Sequence, residues 1–298
     1  MQNSTQVKQA QSPQSGGDEC VSLHVRREAR PGWQPVDLRE LWHYRELLFF
    51  YALREIKVRY KQTALGATWA ILQPVMMMVV FTIFFGKLAK IPSDGQPYAV
   101  TTFCALLPWQ LFAFALTQSS NSLVDNAHVL TKVYFPRLVM PLASTIAGLV
   151  DFLIAFGVFI LLMLFYHFQS DWQMQVGWQV VLLPLFIALA VLAALSIGLW
   201  LSALNLQYRD VRYTVPFLTQ LWLFVTPVAY QSSLVPEQWR LLYALNPMAG
   251  VVDGFRWALL GQTPPGPMLV VSVLATVALF VGGLFFFRRM EKTFADIA

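Results

Sequence analysis

Charge is what this sequence has least of. Only 12% of its 298 residues are Asp, Glu, Lys or Arg, while 57% are hydrophobic and the mean hydropathy is +0.54. Soluble domains carry about 25% charged residues, and half that level leaves no polar shell for a water-facing core of this size. Cysteine is nearly absent: Cys20 sits in a polar stretch and Cys104 in an apolar one, which excludes a disulfide framework and a cysteine-built metal site. There is no G-x-x-x-x-G-K-[ST] run; Gly86-Lys87 is followed by Leu88 and lacks the upstream glycine. Backbone amides of such a loop must cradle the phosphates of ATP, so an ATPase site is not encoded here. H-E-x-x-H, G-x-S-x-G and paired His/Cys clusters are missing too, so no catalytic or metal site is expected. The net charge of +5 would point to nucleic acid only if the cations clustered on a soluble face; they lie mostly beside apolar runs. The opening "MQNSTQVKQAQSPQSGGDE" has no apolar core of a signal peptide. Residues 1–31 read as a mostly disordered tail.

Long apolar runs are what the sequence has most of. A spanning helix needs about 20 such residues, and candidates occur at Ala64–Phe85, Tyr98–Leu116, Leu138–Phe168, Val176–Leu204, Val215–Tyr230 and Met268–Phe287. The fifth is short and holds Pro216 and Pro227, which predicts burial against protein, where neighbours can satisfy the freed backbone. Six crossings put both termini on one side. Of the 21 Lys and Arg, 17 fall on that side and 4 (Lys87, Lys90, Arg240, Arg256) on the other; the positive-inside rule makes both termini cytoplasmic. Between the last two spans, Asn246-Pro247 splits "LVPEQWRLLYALNPMAGVVDGFRWALLGQ" into pieces too short to span, which read as re-entrant helices on the outer side, with Asp253 and Arg256 spaced to pair on one face. The domain reading is a tail (1–31), an interfacial helix region (32–63), a transmembrane domain (64–287) and a C-terminal tail (288–298).

Before the first span, Arg54, Lys57, Arg59 and Lys61 crowd together. Trp42, Phe49, Leu53, Ile56 and Tyr60 recur at helical spacing as an apolar stripe, with Arg54, Lys57 and Lys61 on an adjoining face. That is the pattern of an amphipathic helix in the headgroup plane. It can serve as an anchor on anionic lipid or guide a phosphate-bearing lipid; spacing does not separate the two. Asp151 alone lies deep in an apolar run, where it serves either an ion gradient or a hydrogen bond to a neighbouring helix. The segment 121–137, read as a short helix ended by Pro136, offers Asp125, His128 and Lys132 to a partner. The segment 205–216 offers Arg209 and Arg212.

The run "GWQPVDLRELWHYRELLFFYALREIKVRYKQTALGATWAILQPVMMMVVFTIFFG" resembles the start of ABC-2-type membrane subunits that export polysaccharides of O-antigen, capsule and teichoic-acid pathways. "VLTKVYFPRLVMPLASTIAGLVDFLI", "QYRDVRYTVPFLTQLWLFVTPVAY" and "LNPMAGVVDGFRWALLG" resemble its later blocks in the same order. The resemblance implies a homodimer of six-helix subunits in a bacterial inner membrane, with two copies of a separate ATP-binding subunit that holds ATP and Mg. It also implies a polyprenyl-diphosphate-linked glycan passing between the two permease copies. The family's interfacial helix falls on Leu38–Lys61, its coupling helix on Asn121–Arg137 and its outer helices on Leu234–Gly261. Arg54, Lys57, Arg59 and Lys61 would then meet the headgroup. A sugar path calls for aromatic faces, and Tyr98, Trp109, Phe112, Trp222, Phe224 and Tyr230 are the candidates. The other classes left open are an ABC-2 permease for a drug or lipid, a gradient-driven carrier built on Asp151, and a membrane-embedded transferase.

Overall fold

The structure is a computed structural model that describes residues 38–61, 68–93, 95–130, 132, 135–170, 172–174, 177–291 and 294. The expected tail 1–31, residues 32–37 and 62–63 of the interfacial region, and all of 292–298 except Phe294 lie outside the described residues. The chain divides into a unit Met1–Gly32 and a unit Trp33–Ala298, and every described residue belongs to the second.

All regular structure among the described residues is helical. The order is α1 (Leu38–His43), α2 (Arg45–Lys61), α3 (Thr68–Phe81, continued by a π-turn over Thr82–Leu88), α4 (Tyr98–Asp125), α5 (Ala127–Leu130), α6 (Val139–Gln169), α7 (Leu183–Gln207), α8 (Val211–Val225), α9 (Glu237–Tyr243), α10 (Pro247–Leu260) and α11 (Gly266–Met290). Where α3 with its π-turn, α4, α6, α7 and α11 form, the helix is long and apolar enough to cross a membrane. Five of the six predicted spans thus coincide with such helices, although α4, expected to end at Leu116, runs on to Asp125. The segment 121–125, expected to open a separate loop helix, instead continues α4; only the four residues of α5 stand apart.

The fifth predicted span is the exception. Its helix α8 has 15 residues, about 22 Å at 1.5 Å per residue, against a hydrocarbon thickness of about 30 Å. The stop is local: a residue before proline is driven out of the helical region, and Thr226, preceding Pro227, is extended at φ −94°, ψ 146°. Pro216 stays inside the helix.

Helix α4 is the central pillar. In its most apolar stretch 83% of residues are buried, against 17% in α11. It packs chiefly on α6 and α7, and α11 leans on the far side of α7. The approach of α4 to α7 depends on Gly198, where a Cβ would fall 2.0 Å from the Ser119 Oγ; small residues at helix contacts are how apolar helices gain packing in lipid. One core surrounds Phe103, Phe112, Phe159, Phe186 and Phe255. A second, where α4 finishes, joins Leu123, Phe135, Val139, Phe287 and Phe294 and receives Leu48 and Tyr51 from α2.

At the opposite end, the chain beyond α8 is held by two polar side chains. Asn246 caps α10 by accepting from the Met248 N–H at 3.1 Å; the same amide accepts from Trp222 Nε1 at 3.1 Å and donates to Thr226 Oγ1 at 3.0 Å. Arg256, 3% exposed, donates to the carbonyls of Tyr230 and Val228, each at 3.0 Å. The expected pairing of Arg256 with Asp253 is replaced by these bonds, because the carbonyls freed after α8 lie within reach; Asp253 accepts from the Ser232 hydroxyl instead. Replacing Arg256→Leu is expected to cost roughly 3 kcal/mol, the scale of charge-assisted bonds lost from buried carbonyls. It should lower the melting temperature of the detergent-purified protein, with Arg256→Lys rescuing only part because it lacks the planar fork. An unchanged melting temperature would show that the guanidinium does not brace this turn.

Candidate functional site

Helix α2 packs along α6 through Tyr44, Leu48, Tyr51 and Ala52, with Tyr51 stacked on Phe135 at 6.0 Å. Of the apolar stripe, Trp42 and Phe49 are exposed, Leu53 and Ile56 half-buried, and Tyr60 reaches α6. The helix is apolar on two sides, and periodicity does not say which one meets protein.

The four cations separate accordingly. Lys57 and Lys61 are exposed. Arg54 donates to Asn126 Oδ1 at 3.0 Å, which ties α2 to the end of α4. Arg59 points the other way, into α6, where its guanidinium lies 2.5 Å from Asp151 Oδ2 and 4.2 Å from the Phe114 ring centroid. The four cations therefore differ in surroundings: Lys57 and Lys61 are exposed, while Arg54, also exposed, and Arg59 each bond to a side chain of the bundle.

Asp151 sits about 18 Å along α6 from Val139 at 1.5 Å per residue, and it also accepts a hydrogen bond from the Tyr60 hydroxyl. Burial, that bond and the carboxylate charge together push Tyr60 above the ordinary tyrosine range, with Arg59 opposing. The neighbouring helix that satisfies Asp151 is thus α2, through Arg59 and Tyr60. Arg59 and Asp151 line a cavity of about 310 Å³ bounded by α3, α4 and α6. Gln73, Gln110 and Gln118 also line it, and their side chains have no hydrogen-bond partner among the described residues. Gly148 permits the Phe114 ring to close on this site, since a Cβ there would fall 2.6 Å from its Cδ1.

Where α4 finishes, the two expected docking segments meet. Asp125 lies 3.4 Å from Arg212, both side chains about half exposed, a pair worth no more than about 1 kcal/mol. His128, Lys132 and Arg209 are exposed on the same segments. Asn205 on α7 donates to Ser120 O at 3.0 Å and Asn121 Oδ1 at 2.9 Å, which holds α7 to the end of α4. A contact with no signal in the sequence is Arg137, which reaches the Glu291 carbonyl and lies 5.5 Å from the Phe294 ring, binding the C-terminal stretch to the segment before α6.

The aromatic candidates do not form one surface. Phe112 is fully buried and Trp109 is 4% exposed; they pack at 5.3 Å, and Trp222 meets Phe112 edge-on at 5.3 Å. Tyr98 is half-buried, donating to Ala229 O at 2.5 Å, and Tyr230 bonds the Tyr243 hydroxyl at 3.1 Å. Only Phe224, 52% exposed, turns its ring out of the chain, beside Phe217 and Leu221 on α8. The candidates share a residue type but not an environment, and Phe112 has no face open within the single chain. Among the described residues no group of three or more His, Cys, Asp or Glu could hold a metal ion.

A body of long apolar helices, a polar helix-end cluster and a helix laid along its flank define a multi-pass membrane transport subunit. The chain belongs to the ABC-2 type transporter family, whose model matches residues 46–260. It is similar to the O-antigen export system permease protein RfbA of Myxococcus xanthus, 29% identical over 259 residues, covering 86% of this chain and 96% of the relative. An RfbA of Klebsiella pneumoniae is 27% identical over 252 residues, 85% and 95% of the two chains. The polysialic acid transport protein KpsM of Escherichia coli is 26% identical over 250 residues, 80% and 92%.

Phe112→Ala is expected to cost about 3–5 kcal/mol as a core truncation, whereas Phe224→Ala should leave stability nearly unchanged. Thermal unfolding of the two purified variants makes the comparison. A Phe112→Ala protein that melts like the wild type would return that ring to the list of path residues.

Proposed function

We propose that this chain is the permease subunit of an ATP-driven exporter of lipid-linked polysaccharide, an O-antigen-like glycan, in a bacterial inner membrane. The observation that carries this reading is the alignment with O-antigen and polysialic acid export permeases over 80–86% of the chain. Two copies of the chain assemble with two copies of an ATP-binding subunit, which holds ATP and Mg. The chain crosses six times with both termini cytoplasmic. Helix α8 makes the fifth crossing together with the extended residues after it, and α9 and α10 re-enter from the outer side. The cargo is a polyprenyl-diphosphate-linked glycan, drawn to the membrane surface by Lys57 and Lys61.

The docking face is the joint between the two loops. Asp125 and Arg212 span it, and His128, Lys132 and Arg209 border it. A push on α5 moves the end of α4, and through Asn126 and Arg54 it moves α2. A gradient-driven carrier is disfavoured, because Asp151 is already held by Arg59 and Tyr60. An ABC-2 permease for a drug or lipid shares the whole architecture and differs only in cargo.

The test is a mild-detergent pull-down of the tagged chain from its native membrane, with ATPase activity measured on the eluate. A stoichiometric partner that hydrolyses ATP, and is lost when Asp125, His128 and Lys132 are replaced by alanine, is the expected result. A chain that elutes alone, with no ATPase in any preparation, would overturn the exporter reading.

A further inference from the structure

The Arg59–Asp151 pair is an unusual thing to place at the wall of a cavity. A guanidinium packed on an aromatic ring already has a defined orientation, and Phe114 at 4.2 Å supplies it. The carboxylate across from it occupies the position that an anion entering the cavity would take. Apolar side chains such as Met77, Leu106 and Phe152 make up much of the remaining wall, and the polar groups among them carry no charge. Three glutamine side chains, Gln73, Gln110 and Gln118, offer amide donors and carry no charge. Pro74 lacks the N–H that would bond the Ala70 carbonyl, and both residues line the cavity, leaving an acceptor suited to a sugar hydroxyl. Trp69, also on the wall and exposed, gives a ring face for a sugar. The volume of about 310 Å³ is some ten times the ~30 Å³ share of one water.

We propose that this cavity is a binding site for a phosphate-bearing lipid headgroup, and that Asp151 is its built-in competitor, a carboxylate that holds Arg59 until a phosphate displaces it. The proposal rests on the export reading above and adds regulation to it. Arg59 binds carboxylate and phosphate with the same bidentate fork. With the cavity empty, Arg59 and Tyr60 clamp the end of α2 to α6. With a phosphate in place, Asp151 loses its cation, and the end of α2 is released from α6 just before the chain enters α3. Occupancy of the headgroup site is thereby read out as movement of the helix that Arg54 links to the end of α4. Weakly bound phosphates fail to displace the carboxylate, so the pair also sets a threshold against abundant phospholipid.

The experiment uses the full chain in phosphatidylcholine nanodiscs, titrated separately with polyprenyl diphosphate, phosphatidylglycerol and inorganic pyrophosphate. Arg59→Gln should weaken polyprenyl diphosphate binding roughly tenfold, the loss of one charge-assisted contact. Asp151→Asn should strengthen it by a similar factor, since the competitor is gone. If Asp151→Asn alone does not fold, the neutral double variant Arg59→Gln/Asp151→Asn replaces it and must bind as weakly as Arg59→Gln. A disulfide introduced between α2 and α6 and formed in the empty protein should block binding, and reduction should restore it. Pyrophosphate bound with the same variant pattern means that the phosphates alone open the latch. Phosphatidylglycerol bound equally well, with the same pattern, makes the pocket a resident phospholipid site in place of a cargo site. Affinity that is unchanged or weaker in Asp151→Asn, or unchanged in Arg59→Gln, overturns the proposal while leaving the export reading standing. A wild-type chain that binds no polyprenyl diphosphate removes the cargo assignment itself.

Discussion

In hydrocarbon no water is available to satisfy a backbone carbonyl or amide, and the architecture of this protein follows from where its helices break that rule. Along α4, α6, α7 and α11 the backbone bonds itself and side chains need only pack. At Pro227 and at Asn246-Pro247 it cannot, and the exposed groups must be met by something else. Arg256 and Asn246 meet them, one reaching the carbonyls beyond α8 and the other capping α10 while holding Trp222 and Thr226. Two side chains thus decide that the stretch between α8 and α11 folds back on the bundle.

The same economy appears at the other end of α4, with a different consequence. There the polar groups join separate elements: Arg54 to Asn126, Asp125 to Arg212, Asn205 to Asn121, Arg137 to the C-terminal stretch. Of these contacts Asp125–Arg212 is half-exposed and weak, while Asn126 and Asn205 are buried. Together they tie α2, α7, α8 and the C-terminal stretch to the region where α4 finishes. The two polar ends share the buried pillar α4.

Between the two lies the flank formed by α2 and α6. An arginine and a tyrosine on α2 reach an aspartate well along α6. Helix α2 supplies the counter-charge to this carboxylate. The exposed Lys57 and Lys61 lie on the same helix as the paired Arg59, which lines the cavity.

Hydropathy and proline placement are local properties, so the long helices, their bounds and the break at Asn246-Pro247 could be read from the chain itself, as could the sharp end of α8 once Thr226-Pro227 was noticed. The family resemblance was equally legible because it lies in several ordered blocks. Partnerships between distant residues were not. Nothing near Asp151 names Arg59, nothing near Arg256 names the carbonyls of Val228 and Tyr230, and an aromatic such as Phe112 carries no mark that says core or surface. Those choices depend on which helix faces come together, and α2, apolar on two sides, shows why composition is silent there. The sequence by itself determined that the chain would be a helical membrane body with a cationic flank, because solvent preference acts residue by residue. Only the tertiary structure decided which charges pair and which cavity they line, because the pair is made by elements that the chain order keeps far apart.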